Sequence, residues 1–148
     1  WVGVNYWGIH PYTLIDGAGK RQVVKFRMAP LGGEVGLTDD EAKARPADDL
    51  VEELKGRLAS NAPAGFRMLA ILGRSGEEKC KATVQWVDED TRPTVDLGTL
   101  TVSAVEANDT CDGAIFDPLL LADGIEGPND PLFSARRPAY AVSIGQRF

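Results

Sequence analysis

The sequence predicts an α+β fold in which antiparallel strands are interrupted by a helical segment and followed by a C-terminal helix. Three observations carry this reading. Two runs rich in aromatic and β-branched residues flank the turn Asp16-Gly17-Ala18-Gly19, the pattern of a hairpin. Thr38-Asp39-Asp40-Glu41 is a capping box that opens a helical stretch. Asp130-Pro131 pairs a good N-cap with a good first helical residue.

Taken in order, residues 4–15 form the first strand and Gln22-Val23-Val24-Lys25-Phe26-Arg27-Met28 the second, joined by a loop of about four residues. Pro30-Leu31-Gly32-Gly33 ends the hairpin. After the capping box, Pro46 either interrupts the helix or begins a second one. Leu50, Val51, Leu54 and Leu58 then share an apolar stripe, with Glu53 and Arg57 paired at i, i+4 beside it. Asn61-Ala62-Pro63-Ala64-Gly65 breaks the helix, and Phe66–Leu72 reads as a third strand. Val95–Val102 alternates as a fourth. Residues 106–129 are an irregular stretch of the kind that wraps a surface or lines a site. The closing helix contains Pro138, which either kinks it between Arg136 and Tyr140 or marks a fresh start.

Composition bounds the function. The 148 residues suffice for one domain with a core. A hydrophobic share of 43% and a charged share of 26% exclude collagen-like, coiled-coil and disordered classes. The net charge of −6, with no basic stripe, argues against nucleic acid or an anionic membrane surface as principal partner. No apolar run approaches the ~20 residues of a membrane span. Cys80 and Cys111 are isolated thiols in no disulfide framework, and a single bridge between them stays open. Their spacing matches no zinc motif, and His10 is the sole histidine, so no zinc site is expected. The compartment is left open with a lean to the cytoplasm. Trp1-Val2-Gly3-Val4-Asn5-Tyr6-Trp7 reads as the middle of something folded. The expectation is therefore a piece of a longer protein, with any export signal upstream of Trp1.

Chemistry concentrates in the last helix. Arg136 lies four residues before Tyr140 and Arg147 seven after it, so all three share a face. Tyrosine is a phenol at neutral pH, with an ordinary pKa of about 10. Ferric iron and a neighbouring guanidinium both favour the phenolate, which is one axial ligand of protein-bound haem. Arginine suits this duty because it stays charged and offers donors in a fixed fork. Arg147, two turns on, could pair with a carboxylate. Each residue alone has an ordinary reading: a tyrosine on an amphipathic helix usually packs, arginines near a chain end are usually solvated, and a lone histidine in a strand is usually structural.

The ordered set carries more. Trp7-Gly8-Ile9-His10-Pro11-Tyr12 resembles the G-x-H-x-F strand of the catalase-like proteins, and Val24–Pro30 the strand after it. Val95-Asp96-Leu97-Gly98-Thr99-Leu100-Thr101 is similar to the family's v-G-x-L-t-L strand. Phe116-Asp117-Pro118, Gly124-Ile125-Glu126, Asp130, Arg136 and Tyr140 follow its F-x-P…G-I-E…D…R-x-x-x-Y order. The resemblance covers essentially the whole chain and is nearest to the small catalase-related haem peroxidases.

The resemblance implies the second half of an antiparallel β-barrel. Residues 1–105 would form the half-barrel with a helical insertion at 38–60, and residues 106–148 the wrapping loop and proximal ligand helix. It implies haem b, with Tyr140 as iron ligand, Arg136 holding it as phenolate, and His10 and Asp130 continuing a hydrogen-bonded line behind Arg136. Arg147 would bind a propionate, while Phe116, Pro118 and Leu132 would pack near the porphyrin. Val142 stands where large catalases usually carry an acidic residue, and Arg137-Pro138 replaces an apolar pair. Both departures point to the small peroxidase branch.

The implied activity is reduction of hydrogen peroxide or organic hydroperoxides at the expense of a small organic reductant. The family's distal histidine and asparagine lie in the preceding half of the fold. That half, or a second copy, is an expected partner. Two alternatives remain: a haem-free structural half-barrel that binds a partner, and a haem enzyme of the same fold that rearranges hydroperoxides.

Overall fold

The computed structural model describes residues 1–62, 64–77, 81–111, 113–114 and 116–146. Their strands are β1 (Tyr6–Trp7), β2 (Tyr12–Ile15), β3 (Arg21–Pro30), β4 (Gly65–Leu72), β5 (Thr94–Thr101) and β6 (Ile125–Glu126). The helices are α1 (Asp39–Lys43), α2 (Asp49–Ala59), α3 (Asn108–Cys111) and α4 (Pro131–Gly145). The sheet runs β5-β4-β3-β2-β6, with β1 also on β3. β1 and β2 both run antiparallel to β3. Leu31 N–H donates to Gly65 O, and Gly73 N–H to Val23 O, so β3 and β4 are antiparallel as well.

The expected first strand is two strands, and the break between them builds the site. Trp7 faces Arg27, whereas Tyr12 faces Val24. Four residues, Gly8 to Pro11, therefore oppose only Lys25 and Phe26. Such an excess bends a strand and re-aims its side chains. Gly8 anchors the bulge by donating to Phe26 O at 2.7 Å, and a Cβ at Gly8 would meet that oxygen at 3.1 Å. His10 and Pro11 become buried. The hairpin loop, 16–20, is held by the Asp16 carboxylate, which accepts from Ala18 and Lys20 N–H at 2.9 Å each.

The chain divides into two compact units, and β3, β4 and β5 each contribute to both. The first comprises residues 1–7, 27–69 and 96–105. Its core is Val2, Ala64 and Phe66, with Met28, Leu54, Leu58 and Val102 against them. The capping box forms: Glu41 N–H donates to Thr38 Oγ1 and Thr38 N–H to Glu41 Oε2. Pro46 begins a turn before α2, where Asp49 N–H donates to its carbonyl, so the helical excursion is two helices. Glu53 accepts from Arg57 Nε at 2.7 Å, as the spacing predicts. The stripe is only half used. Leu54 and Leu58 reach the core, while Leu50 and Val51 stay exposed.

At Gly65, β4 comes close to the β5 backbone. A Cβ there would stand 2.3 Å from Leu100 O and 3.2 Å from Thr101 Cα, both main-chain atoms. Gly65→Ala is therefore expected to cost at least the ~1–3 kcal/mol typical of overpacking. A urea melt within about 0.5 kcal/mol of wild type would refute it.

The second unit comprises residues 8–26, 70–95 and 106–148. Val23, Ile71 and Trp86 form its cluster. Lys25 Nζ and the Arg92 guanidinium each lie 4.8 Å from the Trp86 ring centroid. Both cations are neutralised: Lys25 by Glu89 at 3.1 Å, and Arg92 by a two-pronged bond to Glu77 at 2.6 and 2.8 Å. Burying these charges is tolerable only because each is paired.

Two expectations are corrected. The stretch 106–129 is not structureless: it holds α3 and β6. β6 adds a sixth strand by placing Thr13 opposite Glu126 and Leu14 opposite Ile125. A two-residue strand carries no readable period. β5 forms within a residue of its expected span, but exposes every residue. It lies last in the strand order, and its alternation is not matched by a buried face. Among the described residues, no helix is long and apolar enough to cross a membrane.

Candidate functional site

α4 decides whether the arginine–tyrosine spacing means anything. It runs unbroken through Pro138, so Arg136 and Tyr140 keep their one-turn relation. Asp130 caps it, accepting from Leu132 N–H at 2.9 Å, and Pro131 fills the first turn. Phe133 is buried, and Arg136, Tyr140, Ser143 and Ile144 are half-buried. Their spacing defines one inward face. On that face Arg136 donates to the Tyr140 hydroxyl at 2.5 Å, with the guanidinium carbon 5.4 Å from the Tyr140 ring centroid.

His10 stands near this face. Its ring meets Phe133 edge-on at 5.1 Å. Nδ1 lies 3.9 Å from Asp130 Oδ2, too far for a hydrogen bond, and has no partner among the described residues. The expected line of hydrogen bonds behind Arg136 is thus open between His10 and Asp130. The Asp130 carboxylate is already engaged, Oδ1 with Leu132 N–H and Oδ2 with Ala82 N–H at 2.8 Å. These two amides hold Asp130 below the usual carboxylate range, and the charges of His10 and Lys81 act in the same direction. Burial pushes the His10 imidazole below its ordinary value; Asp130 opposes this and Arg136 reinforces it.

A pH dependence follows. The depressed His10 value means the unfolded chain binds that proton more readily than the folded one. Stability is then full above about pH 6.5, the unfolded histidine value, and declines as pH falls below it. The carboxylates Asp130 and Glu77, also depressed, add a second decline below about pH 4. His10→Gln is expected to remove the first decline and keep the second. Urea midpoints measured from pH 7.5 to 5 that are flat in the wild-type protein would contradict this.

The other expected residues divide. Phe116 is 76% exposed and Leu132 53%, so both present apolar surface outward. Pro118 is half-buried. Arg147 and Cys80 lie outside the described residues. Two contributors escaped the sequence reading. Phe133, not its neighbour Leu132, is the buried residue of the helix, and its ring also meets Tyr12 at 5.8 Å. Tyr12 is raised by burial and drawn down by Arg136. The signal for Phe133 was available: seven residues separate it from Tyr140, two turns along the same face.

The catalase family model spans residues 1–148. The chain belongs to the catalase family. It is similar to the catalase-related peroxidase of Synechococcus elongatus, 33% identical across 99% of this chain and 43% of that protein. The catalase-related peroxidase of Mycolicibacterium paratuberculosis is 26% identical across 97% of this chain and 45% of that one. Catalase A from Saccharomyces cerevisiae superposes with a TM-score of 0.84 over all of this chain and 32% of its own, at 18% identity. That likeness speaks to fold, and the catalase-like α+β fold read from the sequence is the observed one. This catalase-family chain spans less than half the length of the curated relatives it matches.

Proposed function

We propose that this chain carries the proximal side of a haem-dependent peroxidase that reduces hydrogen peroxide or organic hydroperoxides. The observation that carries the reading is the Arg136–Tyr140 hydrogen bond on the inward face of α4, preserved across a proline. The donor set suits haem b: a phenol oxygen with a guanidinium at its side, and exposed apolar side chains at Phe116 and Leu132. Tyr140 would ligate the iron, Leu132, Phe116 and Pro118 would pack on the porphyrin, and Arg147 would pair with a propionate. When bound, haem supplies the redox chemistry with peroxide.

The chain's own residues set the state of one oxygen. Arg136 stabilises negative charge on the Tyr140 oxygen by proximity and by donation. Asp130 and Pro131 start the helix that spaces the two. Burial disfavours the protonated form of His10, which opposes a second positive charge beside Arg136. No residue here is assigned to the distal side, where a group must move a proton between the peroxide oxygens. For turnover, that group would have to be supplied from outside these residues.

The test is haem titration of the whole protein with absorption spectra, then peroxide turnover with and without a phenolic reductant. A tyrosinate-type charge-transfer band together with consumption of the reductant is expected. Dioxygen release without reductant would make it a catalase. Loss of a fatty-acid hydroperoxide with neither would make it a rearranging enzyme. A folded protein that takes up no haem would overturn the reading and leave a partner-binding half-barrel, for which the exposed edge of β5 is the supporting feature.

A further inference from the structure

Pro138 places a gap in the backbone ladder at the most sensitive place in the chain. It offers no N–H to the Ser134 carbonyl, and it falls between Arg136 and Tyr140. Prolines inside helices commonly kink them, yet α4 stays continuous from Pro131 to Gly145. The residue before the proline points to the reason. Arg137 Nε donates to Asp117 Oδ2 at 2.6 Å. Asp117 is well placed to receive it: its side chain is only 10% exposed, and its other oxygen accepts from Leu119 N–H at 2.9 Å. That second bond closes a local turn around Pro118 and sets the direction of the carboxylate. Asp117 also sits between Phe116 and Pro118, so a tether at Asp117 fixes both neighbours relative to the helix.

We propose that Arg137 and Asp117 form a positioning pair that splints α4 across Pro138 and fixes the Phe116–Pro118 turn against the helix carrying Tyr140. The inference rests on the reading of Tyr140 as the functional oxygen, but its mechanical content does not require haem. Arg137 and Pro138 are adjacent in the chain: one lacks the helical donor, and the other ties the helix to a second segment.

The experiment is hydrogen exchange on the whole protein, without haem, in three variants. Asp117→Asn keeps an acceptor for Leu119 N–H but places an amide against the guanidinium. Arg137→Leu removes the donor, and Arg137→Lys keeps the charge. The readout is exchange at the Tyr140, Ala141 and Val142 amides, whose helical acceptors are the carbonyls of Arg136, Arg137 and Pro138. Asp117→Asn and Arg137→Leu are expected to speed these amides about tenfold, with Arg137→Lys within about threefold of wild type. The amide of Val24, fully buried in β3, is expected to be unchanged.

Unchanged exchange at the three amides in both disruptive variants would overturn the proposal. So would acceleration shared equally by Val24, which would make the pair a general stabiliser. In the haem-loaded protein, Asp117→Asn is expected to displace the charge-transfer band without abolishing it. If the wild-type protein takes up no haem, the Tyr140 reading fails while the exchange result still decides the splint.

Discussion

Replacing Tyr140 with phenylalanine is expected to abolish the tyrosinate charge-transfer band and to weaken haem binding by more than a hundredfold. The magnitude comes from comparison. Removing a group that merely orients a metal ligand costs about 10–100-fold in affinity. Tyr140 would be the ligand itself, so its loss should exceed that range. Arg136→Leu tests the lesser effect. It leaves the phenol in place but removes the guanidinium 2.5 Å from it, and a loss within about 10–100-fold is expected. The change at 140 removes one oxygen from a half-buried ring, so the fold should survive, with a melting midpoint within a few degrees of wild type. Unchanged haem affinity and an unchanged spectrum in Tyr140→Phe would dismiss Tyr140 as ligand. Equal losses in the two variants would assign the binding to Arg136 instead.

The second large effect concerns stability. Arg92→Leu should destabilise the protein by about 3–5 kcal/mol, the cost of breaking a buried pair by removing one partner. Arg92 is nearly fully buried. It serves Glu77 through two bonds and the Val87 carbonyl through two more, at 3.0 and 2.7 Å. The arginine beside Glu77 is the main cause of its depressed carboxyl value. A chain of this size loses roughly 2–4 °C of midpoint per kcal/mol, so a fall of about 6–20 °C is expected. The double variant Glu77→Leu/Arg92→Leu should recover part of the loss, because it leaves no uncompensated charge. A double variant less stable than Arg92→Leu would show that the pair contributes more than mutual neutralisation.

The cluster has a bearing on the site. The segment that carries Glu77, Trp86 and Arg92 also carries Ala82, whose N–H binds Asp130 at the head of α4. Loosening one end of that segment should be felt at the helix cap. Asp130 therefore has two duties: starting the helix, and accepting from a segment nearly fifty residues earlier in the chain.

What local chemistry controls was readable in the sequence. Thr38 with Glu41, Asp130 with Pro131, Asp16 with Gly19, and Arg136 with Tyr140 are all relations of a few residues. Short spacings on a helix or turn leave little freedom, so identity and spacing suffice. The family motifs were readable for the same reason, being ordered runs of specific residue types. What only the tertiary structure decided involves competition between distant groups. His10 faces inward because two residues more lie on one strand than on its partner, a register property that no local pattern encodes. Asp130 stands 3.9 Å from His10 while one of its oxygens accepts from Ala82, forty-eight residues earlier. α4 survives Pro138 although local propensity argues for a kink, and Arg137 is tied to Asp117, twenty residues earlier. The one-turn relation of Arg136 to Tyr140 was legible in the sequence, whereas the packing and charge around them were settled by contacts between segments far apart in the chain.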